Sequence, residues 1–221
     1  MEPREFKDEV FTHFARVGAA FGHAKRVELI DVLAQGERTV ESLAQQISAT
    51  VANTSWHLQI LAAAGLVARR IEGPSRIYRL ADSAVEAGYR TLVGLAEHHI
   101  SEVKALADDF FKHADGTRPV SFTELDQMSR TGQVIIVDVR PASEFEAGHV
   151  DGAVNIPVAE LANRISELPN DVNIVAYCRG PYCVMAATAV TKLRQSGFDA
   201  VRMDGGYPEW REAGRPIASA G

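Results

Sequence analysis

Ile174-Val-Ala-Tyr-Cys178-Arg-Gly-Pro-Tyr-Cys183-Val-Met-Ala-Ala-Thr-Ala-Val-Thr-Lys-Leu-Arg-Gln-Ser196 passes from an uncharged run, through a loop bounded by two cysteines, into a helical pattern. A short continuous apolar run closed by turn residues reads as a strand buried on both faces. Val184 to about Ser196 reads as the helix that follows it. Cys178 therefore leaves the end of a buried parallel strand and enters a loop before a helix. Outward from this stretch, Val134–Val139 is a second β-branched run and Val201–Met203 a third. Strands alternating with helices predict an α/β domain with a parallel sheet.

Further upstream the period is helical. Phe6, Val10, Phe14, Val17 and Phe21 fall at spacings of three and four, which is one apolar face. Val27, Ile30 and Leu33 line a second helix that Gln35-Gly36 closes. Val40–Ile47 reads as a third. Ser48-Ala-Thr50 makes a turn and an N-cap for a fourth helix from about Val51 to Ala64, with Val51, Thr54, Leu58 and Leu61 inward. The period then changes to two. Leu66–Ile71 and Arg76–Leu80 form a hairpin around Glu72-Gly73-Pro74-Ser75. A single long helix is expected from Ser83 to about His113, lined by Val85, Tyr89, Leu92, Ala96, Val103 and Phe110. The polar, Gly/Pro-containing stretch 114–119 reads as a linker. The expected division is residues 1–113, the linker 114–119, and a second domain over 120–217. The fold class is thus a mainly α winged helix-turn-helix joined to an α/β domain.

The 221 residues suffice for two ordinary domains. At a formal charge of −6 the chain is not a generally basic nucleic-acid coat, so any DNA contact needs a local basic patch. No stretch approaches the ~18 apolar residues of a membrane span. The start, Met1-Glu-Pro-Arg-Glu-Phe-Lys7, lacks the basic-then-apolar pattern of a secretory signal, which predicts a cytoplasmic protein. Cys178 and Cys183 are the two cysteines. In a reducing cytosol such a pair is more often chemical than structural.

Val40-Glu-Ser-Leu-Ala-Gln-Gln-Ile47, Ser55-Trp-His-Leu-Gln-Ile-Leu61 with Ala64-Gly-Leu-Val67, and Arg69-Arg-Ile-Glu-Gly-Pro-Ser-Arg-Ile-Tyr-Arg-Leu80 together resemble the ArsR-type repressor family over roughly residues 10–112. The fourth helix turns Ala52, Asn53, Ser55, Trp56 and Gln59 outward. Asn53 and Gln59 suit adenine edges, and Thr50 and Ser55 suit phosphate or base. Trp56 is a departure, a large aromatic that suits a dimer mate or a thymine methyl. The hairpin carries Arg69, Arg70, Arg76 and Arg79 against one acid, Glu72, an excess suited to a phosphate backbone. The expected partner is a double-stranded DNA operator, bound by a homodimer, with the first and last helices offering apolar faces. Some relatives sense metals, but His98-His99-Ile-Ser-Glu102 lacks the upstream partner, because Glu86-Ala-Gly88 stands there. No metal site is expected.

Val137-Asp-Val-Arg-Pro-Ala-Ser-Glu-Phe-Glu-Ala-Gly-His-Val-Asp-Gly-Ala-Val-Asn-Ile-Pro157 and Asp204-Gly-Gly-Tyr-Pro-Glu-Trp-Arg-Glu-Ala-Gly214 are similar to the two end motifs of the rhodanese family. Cys178 stands where that family keeps its catalytic cysteine. The resemblance implies transfer of a sulfane sulfur to Cys178 and on to a thiol or cyanide, without cofactor. Loop N–H groups and the helix N-terminus favour a thiolate there, and Arg179 adds a cation suited to an anionic donor. Asp138, Arg140, Glu144 and His149 are expected to fix the loop after the first buried strand. Two departures matter. Pro181 removes an N–H from the anion nest, and Cys183 closes the loop, as a resolving thiol or as a small space-filling residue. A phosphatase is disfavoured, since Val184 stands where its Arg belongs.

These readings predict a repressor whose rhodanese domain senses or carries reactive sulfur or thiol-redox state through Cys178. The donor would be a sulfane-sulfur or oxidant small molecule. The alternatives are a working sulfurtransferase tethered to a DNA-binding domain, and an inert domain that binds a protein partner. Whether the chain turns over as an enzyme stays open.

Overall fold

Side-chain caps begin both helices of the helix-turn-helix, α3 (Val40–Gln46) and α4 (Val51–Ala63). Thr39 accepts from the Ser42 N–H and Thr50 from the Asn53 N–H, each at 3.2 Å, each satisfying one orphan donor of a first turn. The computed structural model describes residues 1–219 apart from 131, 133 and 170. Its first compact unit spans residues 1–99. There α1 (Pro3–Phe21) and α2 (Ala24–Ala34) precede β1 (Arg38–Thr39). Next come α3 (Val40–Gln46), α4 (Val51–Ala63), the hairpin β2 (Val67–Glu72) and β3 (Ser75–Leu80), and α5 (Ser83–His99). The core joins Leu29 and Ile30 of α2, Leu43 of α3, Leu58 and Leu61 of α4, and Tyr78 of β3.

Ser48, at φ 51°, turns the chain between α3 and α4, and Gly65, at φ 76°, ends α4. The hairpin pairs Glu72 with Ser75, so Gly73 and Pro74 alone make its tip. The third strand of this sheet, β1, pairs antiparallel with β3 in the order β1-β3-β2; two residues are too short to show a period. On α4 the inward face differs from expectation. Val51 is 45% exposed, while His57 is buried beside Thr54, Leu58 and Leu61. Val51 is the first residue of the helix, where the capping turn leaves it at the surface.

The expected single helix from Ser83 to His113 is two. It breaks at Ile100, whose backbone is extended (φ −117°, ψ 95°), and α6 (Ser101–Ala114) follows. Apolar spacing runs through the break unchanged, which is why the sequence carries no sign of it. The compact units divide here, between His99 and Ile100, ahead of the linker expected at 114–119. That stretch is instead built into the second unit. Asp115 pairs with Arg202, Thr191 donates to the Ala114 carbonyl at 2.7 Å, and Val120 bridges in parallel to Met203.

The second unit, residues 100–221 in extent, continues through α7 (Phe122–Arg130), β4 (Val134–Asp138), α8 (Ala142–Ala147), β5 (His149–Val150), β6 (Val154–Asn155) and α9 (Leu161–Arg164). A 3-10 turn (Ile165–Glu167) leads to β7 (Asn173–Tyr177), α10 (Val184–Gln195), β8 (Ala200–Arg202), α11 (Tyr207–Glu212) and β9 (Ile217–Ala218). Four parallel strands lie in the order β6-β4-β7-β8, and β5 pairs antiparallel with β9. Alternate residues of the central strands serve two cores. Val137, Ile174 and Ala176 face one; Ile136, Val175 and Tyr177 face the other. This two-sided burial is the expected consequence of an unbroken apolar run in a parallel sheet.

Candidate functional site

β7 delivers Cys178 into the loop that ends at Cys183, the N-cap residue of α10. Cys178 is 1% exposed and Cys183 partly buried, and both are free thiols. The Cys178 thiol donates to the Cys183 carbonyl oxygen at 3.4 Å. Burial drives the Cys178 thiol well up, with the N–H groups of Ala186 and Gly180 acting the other way. Cys183 is brought down to about 7, chiefly by the neighbouring Cys178 side chain, against burial, with help from the Met185 and Arg179 N–H groups and the Arg179 charge. The two thiols titrate as a pair, with Cys178 pushed up and Cys183 brought down. The direction at Cys178 runs against the expectation from sequence, which puts the ionised thiol there.

Arg179 is buried and turned to Glu144, with Nη2–Oε1 at 2.6 Å. A guanidinium engaged by a fully buried carboxylate braces the loop; it is not displayed to an incoming anion as the sequence suggests. Asp138 and Arg140 form a second fully buried pair at 2.6 Å, and Arg140 also donates to the Gly148 carbonyl at 2.7 Å. Burial works against the Arg140 charge, but Asp138 outweighs it and keeps the group protonated. His149 ties to the Phe145 carbonyl at 2.8 Å and stacks on the Phe145 ring at 3.6 Å. Asp138, Arg140, Glu144 and His149 thus all occupy bracing positions around the turn after β4.

Gly206 closes the loop from beyond β8. A Cβ there would stand 2.3 Å from the Gly180 nitrogen and 2.5 Å from the Cys178 carbonyl oxygen. The Tyr207 N–H donates to that same carbonyl at 3.0 Å. A cavity of about 460 Å³ opens beside the loop, lined by Cys178, Cys183, Pro181 and Tyr182, by Met203 to Gly205, and by Lys104, Phe111 and Lys112 of α6.

In the first unit, α4 leaves Asn53, Trp56 and Gln59 exposed, with Trp56 at 53%, while Ser55 is partly covered. Thr50 spends its hydroxyl on the helix cap. Arg69 and Arg76 fall on one face of the hairpin, Arg70 and Arg79 on the other, as the register Arg69↔Tyr78 and Ile71↔Arg76 requires. Arg69 and Arg76 are exposed and make no ion pair among the described residues. Arg70 is held by Glu72 and also by Glu37, the latter at 2.6 Å, and this pairing raises its pKa. Glu37 lies far away in sequence, beyond the reach of a local charge count of the hairpin.

Residues 23–69 match the family model described as bacterial regulatory protein, arsR family, and residues 121–213 match the rhodanese-like domain. HTH-type transcriptional regulator Rv0324 of Mycobacterium tuberculosis is 41% identical over 211 residues, covering 96% of this chain and 92% of that protein. This chain belongs to the arsR family of bacterial regulators. It is an ArsR-type DNA-binding regulator fused to a rhodanese-like domain. The latter is similar to thiosulfate sulfurtransferase GlpE of Shewanella oneidensis, at 36% identity over 47% of this chain and 95% of that protein. A solved homodimeric winged helix-turn-helix domain, Mb0332 of Mycobacterium bovis, is 34% identical and covers 45% of this chain and 91% of its own, with a TM-score of 0.42.

Two features of this ArsR-type regulator escape a reading of its sequence. His57 is buried in α4 with its ring 4.5 Å from that of His23 and 4.8 Å from that of Trp56; burial lowers its pKa. The α6 wall of the cavity is the other. Its signal is present in the spacing of Lys104, Ala107, Phe111 and Lys112, but a single long helix hides which unit that face serves. Among the described residues no group of three or more His, Cys, Asp or Glu is placed to hold a metal ion, and no helix is long and apolar enough to cross a membrane.

Proposed function

We propose that this regulator is a repressor that binds its operator as a homodimer, and that its rhodanese-like unit reports reactive sulfur through the Cys178/Cys183 pair. The observation that carries the reading is the two free thiols at the ends of one loop, Cys178 donating to the Cys183 carbonyl oxygen, beside an open cavity that both line. In its thiolate form Cys183, whose thiol pKa is brought down to about 7, takes the proton of Cys178 as Cys178 attacks the outer sulfur of a persulfide. Cys178 gains that sulfur and the donor leaves as its thiolate. The N–H groups of Gly180 and Ala186 favour negative charge at the Cys178 position. Once deprotonated, Cys183 attacks the sulfur of Cys178 that is bonded to carbon and expels hydrosulfide, leaving a disulfide. The oxidant is the persulfide, whose sulfane sulfur is reduced.

DNA contact in this reading falls to Asn53, Ser55, Trp56 and Gln59 in a major groove, with Thr50 at the helix start and Arg69, Arg70 and Arg76 on the backbone. The second copy docks on α1, where Phe6, Phe11, Phe14 and Val17 are exposed on a helix with a single buried residue, Ala20. A two-fold dimer repeats the reading head on paired half-sites. The loaded state reaches the reading head through α6, which follows α5 after one residue, Ile100.

Gel-shift titration of operator DNA with and without polysulfide tests this. Wild type is expected to change affinity on loading and Cys178→Ser to stay unchanged. Equal affinity for wild type in both conditions sinks the coupling. A second reading, a sulfurtransferase tethered to DNA, draws support from the likeness to GlpE. Thiosulfate-to-cyanide turnover at the rate of a dedicated enzyme would favour it; stoichiometric loading alone favours the sensor.

A further inference from the structure

The α6 wall lies outside the residues that match the rhodanese-like model, 121–213. It is nonetheless part of the same compact unit. Thr191 holds its end at Ala114, and the Arg202 guanidinium sits 4.1 Å from the Phe111 ring while pairing with Asp115. Lys104, Ala107, Phe111 and Lys112 recur at helical spacing, so they form one face, and all four line the cavity. Lys104 and Lys112 are exposed and make no ion pair among the described residues. The other two cations of the lining are matched, Arg118 by Glu124 at 2.5 Å and Arg202 by Asp115, and Asp108 stands one turn from each lysine.

About 460 Å³ is the size of a small-molecule site, which runs from roughly 300 to 1,000 Å³. A five-atom inorganic donor fills a small part of it. The lining is mixed: two thiols, the Phe111 and Tyr182 rings, the Lys104 and Lys112 ammonium groups with the paired Arg118 and Arg202, and two carboxylates, Asp108 and Asp204, so that cations outnumber acids by four to two. We propose that this cavity is a binding site for a low-molecular-weight organic persulfide carrying a carboxylate. Its sulfane sulfur meets Cys178, its carbon body lies against Phe111 and Tyr182, and its carboxylate meets Lys104 and Lys112. The assignment rests on the sulfur-handling reading of the cysteine pair and adds the donor class to it. α6 thereby makes the sulfur site specific to this fused architecture.

The full-length protein is tested with two persulfides: that of glutathione, which carries carboxylates, and that of cysteamine, which carries none. Intact-mass measurement follows the gain of one sulfur atom on Cys178. Wild type is expected to load faster from glutathione persulfide at low concentration, and K104Q/K112Q to lose roughly fivefold on that donor alone. The preference should fade as salt is raised. Binding of S-methylglutathione, which transfers no sulfur, is measured alongside by calorimetry and should weaken by a similar factor in the double variant. Equal loading from both persulfides in wild type, or a lysine variant indistinguishable from it, overturns the donor assignment and leaves the sulfur reading intact. S-methylglutathione binding without any sulfur gain on Cys178 supports the site and overturns the sulfur reading. Neither binding nor loading overturns both.

Discussion

The Cys178 thiol reaches across its own loop to Cys183 and donates to that residue's carbonyl oxygen at 3.4 Å. The two thiols are pushed in opposite directions, Cys178 up by burial and Cys183 down. Removing Cys178 therefore makes Cys183 a weaker acid, because the Cys178 side chain is the largest influence lowering it. Alkylation of Cys183 by iodoacetamide in Cys178→Ala should rise with pH through a midpoint above the wild-type value of about 7. Cys178→Ser, which retains a donor, should shift it less. A midpoint that stays at about 7 in the alanine variant would place the cause elsewhere, on the Met185 and Arg179 N–H groups.

Gly206 is confined by close approach, since its φ of −140° is open to any residue. A methyl group there meets the backbone of Cys178, Arg179 and Gly180, none of which can swing aside as a side chain would. Gly206→Ala should destabilise the second unit by about 1–3 kcal/mol, as overpacking does, and displace the cysteine loop. Thermal unfolding with intact-mass sulfur loading checks both. Normal loading at normal stability would contradict the close approach.

Arg179 separates a bracing role from an anion-recruiting one. Arg179→Ala removes one partner of a pair whose carboxylate, Glu144, is fully buried, and breaking such a pair costs about 3–5 kcal/mol. Chemical denaturation should show that destabilisation. An arginine that only attracted donors would leave stability unchanged and raise the donor concentration needed.

Strands and cysteine placement are legible in the sequence because a buried parallel strand has a plain signature, as at Val134–Asp138 and Asn173–Tyr177. The helix-turn-helix is legible through its punctuation, Thr50 and Gly65. What stays hidden depends on partners far apart in sequence. Glu37 meets Arg70 across thirty-three positions and Glu144 meets Arg179 across thirty-five, so a local charge count misjudges both arginines. The break at Ile100 is hidden for a different reason: one extended residue leaves helical spacing nearly in phase. With it goes the role of α6, whose cavity face reads as part of a dimer helix.

The two faces of the hairpin predict unequal roles in DNA binding. Arg69 and Arg76 bring unmatched charge, whereas Arg70 is already matched by Glu37 and Glu72. Removing one phosphate-binding cation should lower the slope of log affinity against log salt by about one. Arg69→Ala and Arg76→Ala are each expected to do so in fluorescence-anisotropy titrations, and Arg70→Ala to do so by less. An Arg70 effect equal to the others would mean that DNA displaces the two carboxylates.

Phe11 and Phe14 pack edge to face at 5.6 Å on the exposed side of α1, with Phe14 at 64% exposure. Within one chain this face contributes little to the core, so a charge there should leave the fold intact, within about 0.5 kcal/mol for a surface change. In a dimer the same face is buried twice, and a carboxylate opposite its own image is expelled. F11E/F14E should therefore sediment as a folded monomer where wild type sediments as a dimer. Operator affinity should fall about tenfold or more, because a single reading head loses the linked second half-site. A variant that still sediments as a dimer moves the interface off α1, and the exposed apolar residues of α5 and α6, Leu95, Leu106 and Phe110, become the face to mutate.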